Sequence, residues 1–214
     1  MALQYLNFKK LMLFRKELFN NLSVEECKKA VVFYLLYTIG MVLIMYLGRS
    51  GNWINNVTIL GTLYSVVFFF VVLIANKKKL YSLGLSPAKL LPTIMIMVIA
   101  VCGGVIKNRT LHNLPEALLS SVAIFFTEEF VYRGYLWTRL VVLLGKYKGT
   151  ILCGVLWGVM HLLNPYIHDS IDVLVILNAV LSGIVGHFFF ALLYSMSGNI
   201  YLPTAIHIFP HFFL

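Results

Sequence analysis

Apolar stretches about as long as a bilayer is thick follow one another along most of this chain, and the charged residues gather in the gaps between them. Backbone in hydrocarbon has no water to bond. Such a stretch must satisfy its own N–H and C=O groups, as a helix does. The pattern predicts an all-α, polytopic membrane bundle. Hydrophobic residues are 60% of the 214 and charged ones 12%, whereas a soluble domain is about a quarter charged. At roughly 20 residues per span, the length suits about seven transmembrane helices in a single integral membrane domain, 1–214. Spans are expected near 30–48, 53–75, 91–106, 115–142, 150–164, 172–194 and 199–214.

The ends of these runs carry the topology. Residues 1–29 read as a basic amphipathic helix, since Phe8, Leu11, Phe14, Leu18 and Leu22 recur at three- and four-residue steps among lysines and Arg15. Ser23 and Glu26 have the spacing of a capping box, so a helix should restart there and run into the first span. Of the 17 Lys and Arg, only Arg49, Lys107 and Arg109 fall in outer segments if the N-terminus is cytoplasmic; the other 14 lie inside, Arg133 and Arg139 among them. The excess of inner cations favours that orientation. It also accounts for the net charge of +9, so no nucleic-acid partner is expected. Cys27, Cys102 and Cys153 form no disulfide framework, and no cleaved signal peptide is read. The expected location is a cell membrane, of bacterial plasma-membrane type. A homodimer is compatible with the sequence.

Glu128 and Glu129 interrupt one apolar run, with Arg133 four residues after the second. A carboxylate at membrane depth costs several kcal/mol, about 2.5–3.5 on lenient scales, and is rarely idle there. In an α-helix residues four apart share a face, so Glu129 and Arg133 are expected to pair. Glu128 is left facing elsewhere, with Tyr132 and Tyr135 on its side. A carboxylate without its own cation suits a general base that activates water. The plainer reading makes both glutamates structural partners of Arg133 and Arg139. Further on, His161 follows Trp157 by four residues, and His211 follows His207 by four. A lone histidine in an apolar helix is usually a satisfied core residue; three on two spans beside a glutamate pair are harder to dismiss. Zinc held by His161, His207, His211 and Glu128 is the competing constellation. With no HExxH, no metal and no other cofactor is favoured. Cys153, two helical turns from His161, is not read as a nucleophile.

Together these residues resemble the CPBP family of integral membrane proteins, the CAAX-protease and bacteriocin-processing or Abi group that includes Rce1-type proteases. Glu128, Glu129 and Arg133 match its EExxxR motif, and His161 matches FxxxH with Trp157 in the aromatic place. His207 matches the third motif, with His211 where Asn is common. Gly183 and Ser197-Gly198 fit its small-residue stretch, while His187 and Ala191 stand where glycine is frequent. The resemblance covers about 115–211. It implies an intramembrane glutamic endopeptidase acting on a membrane-associated peptide or protein. Glu128 would activate water with help from His161, His207 and His211 would stabilise the oxyanion, and Glu129, Arg133 and Trp157 would support the site. A non-catalytic role in bacteriocin self-immunity or signalling is the alternative.

Overall fold

The computed structural model describes residues 19, 22–50, 54–76, 80–86, 91, 93–96, 98, 99, 102, 114–162 and 172–213. Among them every regular element is helical: α1 (Val24–Ser50), α2 (Ile54–Ala75), a 3₁₀ turn (Leu80–Leu83), α3 (Leu114–Glu129), a π-helical segment (Phe130–Trp137), α4 (Thr138–Leu144), α5 (Lys146–Met160), α6 (Val173–Ser197) and α7 (Tyr201–Phe213). The all-α expectation holds for these residues. Two helices, Val24–Gly48 and Val173–Ser197, are long and apolar enough to cross a membrane, and Ile59–Ala75 is a shorter apolar helix. Half of the expected third span, and residues 1–18, 20 and 21 of the expected amphipathic helix, lie outside the described residues.

The capping box forms. The Ser23 backbone N–H donates to Glu26 Oε2 at 2.8 Å, and the Glu26 N–H donates to Ser23 Oγ at 3.2 Å. Each bond satisfies an amide that the first turn leaves unpaired. From there α1 runs unbroken with Leu35, Leu36, Ile39, Leu43 and Leu47 exposed, and α6 likewise exposes Leu177, Leu181 and Val185. Outward apolar faces of this extent mark contact with lipid or a partner.

The continuous run from Leu114 to Leu144 lies at the centre. α1, α2, α5, α6 and α7 all pack against it. All eight residues of the π segment are buried. A π turn closes i to i+5 and holds one residue more than an α turn. Side chains secure its exit: Thr138 Oγ1 donates to the carbonyls of Gly134 and Tyr135, each at 3.0 Å, and Arg139 Nη1 donates to Gly134 O at 3.1 Å.

Arg139, counted above among the inner cations, is fully buried in the protein. Its guanidinium donates to Ser82 O at 3.0 Å and Ser82 Oγ at 3.2 Å, and lies 4.6 Å over the Tyr135 ring. These carbonyl, hydroxyl and ring partners replace hydration. The 3₁₀ turn is thereby clamped onto the central helix. Gly134 allows the approach, because a Cβ there would sit 2.5 Å from the Leu83 carbonyl oxygen.

Gly134→Ala is therefore expected to destabilise the bundle by about 1–3 kcal/mol. Gly61→Ala, whose Cβ meets nothing nearer than Met41 Cε at 3.9 Å, should leave thermal unfolding in detergent unchanged or raise the midpoint.

Candidate active site

α3 delivers two carboxylates to the start of the π segment. Just before them, Thr127 Oγ1 donates to Ala123 O at 2.7 Å and reaches Ser65 O of α2 at 3.3 Å. Glu129 is fully buried. Its Oε1 accepts from Arg133 Nη1 at 3.2 Å, the pair expected from the four-residue spacing. The same oxygen receives His207 Nδ1 of α7 at 3.0 Å. A carboxylate only accepts, so Nδ1 carries the proton in this contact and Nε2 is the nitrogen left to act elsewhere.

Neither glutamate takes Arg139 as its hydrogen-bonded partner; that side chain is committed to Ser82. Glu128 is partly exposed and makes no hydrogen bond among the described residues. The charges nearest to it in effect are His207, then His161, then Glu129 and Arg133. Its charge also acts on Tyr132 and Tyr37. Tyr132 thus lies on the side of Glu128 as the helix spacing suggests, but Tyr135 does not. Tyr135 packs edge-on to Phe33 at 5.7 Å and beneath Arg139. The α-helical wheel fails there because the π turn adds a residue between Glu128 and Tyr135.

Trp157 gathers the remaining groups. Its ring lies 3.8 Å beneath the Arg133 guanidinium carbon, 4.6 Å from the His161 ring and 5.7 Å from the His207 ring. A desolvated cation over an indole face is worth about 2 kcal/mol. His161 ends α5. Its Nδ1 lies 2.9 Å from the Trp157 carbonyl, which can only accept, so this ring too holds its proton on Nδ1 and presents Nε2. Room for the imidazole comes from α6, where a Cβ on Gly183 would sit 2.8 Å from His161 Nδ1 and from Gly158 Cα. Small residues let membrane helices approach this closely. His211 lies on α7 one turn beyond His207; its side chain is outside the described residues, so the four-ligand zinc reading is too. Among the described residues no three metal-ligating side chains cluster.

Glu129, Arg133, Trp157, His161 and His207 thus come together from three stretches of chain, with Glu128 at the open edge. Residues 110–213 match the family model described as Type II CAAX prenyl endopeptidase Rce1-like. No curated protein and no solved structure matches the chain. The Rce1-like stretch includes every candidate residue above and ends at the last residue of α7. It leaves out α1, α2 and the 3₁₀ turn.

Sequence reasoning passed over three groups. Arg139 is one, although a second arginine in the same apolar run was a signal. His187 is another: it is fully buried, and both ring nitrogens lack a hydrogen bond among the described residues. The third is the tyrosine set of α1, which no motif marks.

The two glutamates should separate by stability. Glu129→Gln leaves Arg133 buried without its anion and is expected to lose about 3–5 kcal/mol. Glu128→Gln, at the open edge, should unfold close to the wild-type temperature in the same detergent.

Proposed function

We propose that this protein is a multi-pass intramembrane endopeptidase that hydrolyses a peptide bond in a membrane-associated peptide or protein. Its site would be reached from the bilayer in which α1, α2 and α6 stand, with the N-terminus cytoplasmic. The observation that carries the reading is the meeting of His161 and His207 around Trp157, with His207 bonded to the carboxylate next to Glu128, within a stretch of Rce1-like sequence.

In this mechanism Glu128 takes a proton from water, and His161 Nε2 accepts the water's second hydrogen bond. The hydroxide attacks the carbonyl carbon, and the carbonyl oxygen becomes an oxyanion. His207 would stabilise that charge, and the resemblance assigns His211 to the same role. Because His207 Nδ1 is committed to Glu129, its Nε2 donates to the oxyanion only when the ring carries both protons. Glu129, held by Arg133, therefore acts through His207, by accepting the Nδ1–H hydrogen bond and fixing the ring's orientation. Collapse of the intermediate breaks the C–N bond, and Glu128 returns the proton to the leaving amine.

A positioned general base contributes about 10²–10⁴-fold, and one oxyanion donor about 10²–10³-fold in kcat. Glu128→Ala and His161→Ala should abolish detectable cleavage, and His207→Ala should lower it within the second range. Comparative peptidomics of membranes holding wild type or Glu128→Ala tests this and finds the substrate at once. Peptides that accumulate only with wild type are the expected result. Identical peptidomes, with Glu128→Gln complementing a deletion fully, would instead support a non-catalytic immunity or signalling role.

A further inference from the structure

The two ends of the bundle treat the site differently. Lys28 and Lys29 stand exposed near the start of α1, and Lys148 near the start of α5. Both starts meet Trp137: Phe19, just before α1, packs edge-on to its ring at 5.7 Å, and its Nε1–H donates to Thr150 Oγ1 of α5 at 2.9 Å. The lysines therefore share one end of the bundle. Cations concentrate at the cytoplasmic ends of membrane helices, so this end is the inner one. Arg49, at the far end of α1, is the exception among the described residues.

Between that end and the site the protein has a closed floor. From Glu129 to Leu140 every residue of the central run is buried. Tyr194 of α6 stands edge-on to Trp137 at 5.8 Å. The 3₁₀ turn is drawn in by the Arg139 guanidinium, and just before α7 the Ile200 N–H donates to Gly84 O at 3.0 Å. Leu83 and Ile200 press on Gly134. Leu83, Trp137, Tyr194 and Ile200 are each at most 1% exposed. Interiors packed at native density hold few voids larger than a water molecule, so an extended peptide cannot pass here.

Beyond the site the cover ends. α5 stops at Met160 with His161 as its cap, whereas α6 starts at Val173 and meets His161 only at Gly183. At about 1.5 Å per residue, α6 extends roughly 15 Å past the histidine. Not one residue from Asp172 to Ser182 is buried, and Ser121–Phe126 of α3 are all half-buried, as is Glu128. By the same rise His161 stands roughly 20 Å along α5 from Lys148, past the middle of a hydrocarbon core about 30 Å thick.

We propose that the site takes its substrate from the outer side of the membrane. The scissile bond belongs to a peptide or juxtamembrane segment in or beyond the outer leaflet, not to a chain offered from the cytosol. This rests on the protease reading of Glu128 and His161 and on the cytoplasmic N-terminus proposed with it. Water for hydrolysis arrives by the same route.

Thiol accessibility on the full chain in sealed vesicles tests the side without a substrate. Cys102→Ser removes the exposed thiol and leaves Cys27 and Cys153, which are buried. In that background Glu128→Cys is treated with a charged, membrane-impermeant methanethiosulfonate; Leu162→Cys, next to His161, serves if Glu128→Cys fails to fold. Right-side-out vesicles should label and inverted ones should not, and Lys148→Cys should do the reverse. A site cysteine labelled from the inner side, from both sides or from neither overturns the proposal, and so does Lys148→Cys labelled from the outer side. Wild-type cleavage by Glu128→Ala would sink the protease reading whichever side labels. Inner-side labelling beside an inactive Glu128→Ala would sink this inference alone.

Discussion

The buried ion pair between Glu129 and Arg133 organises everything around it. Two full charges in a dry interior need more than each other, because desolvation outweighs Coulomb attraction unless further bonds are made. Here Arg133 spreads its guanidinium over the Trp157 indole, and Glu129 extends its oxygen to His207. Each compensation brings in another part of the chain: α5 through Trp157, α7 through the histidine. What neutralises the pair is also what assembles the site.

Glu128 differs from Glu129 by one position and by nearly everything else. One carboxylate is sealed and its contacts are structural. The other is partly exposed, and the two imidazoles of the site both present Nε2. The two histidines reach this state by different routes, one against a helix-end carbonyl and one against a carboxylate. One ring is anchored within its own helix, and the other through Nδ1 to the buried ion pair.

Much of this was legible in the sequence, for reasons that are local. The Glu129–Arg133 pair needs only the four-residue helix repeat, and the Ser23–Glu26 box only a three-residue one. Trp157 beside His161 follows from the same arithmetic. The His207–Glu129 contact was out of reach because it joins residues 78 positions apart. The partners of Arg139 were out of reach for the same reason, being a backbone carbonyl and a hydroxyl on a turn 57 residues away. Tyr135 was misplaced because the wheel assumed a uniform helix. The tyrosines of α1 carry no pattern at all, and only packing gives them meaning.

The packing of α1 and α2 onto the central helix bears on what counts as a folding unit. Phe33 rests on Tyr135, Phe69 on Phe126 and Phe130, and the Tyr34 hydroxyl donates to the Leu156 carbonyl at 3.3 Å. Cutting the chain at the edge of the recognisable stretch would bare these rings and remove the Tyr34 bond. The family signature is thus shorter than the object that can stand alone. A search for the smallest active fragment would have to begin upstream, at the capping box of α1.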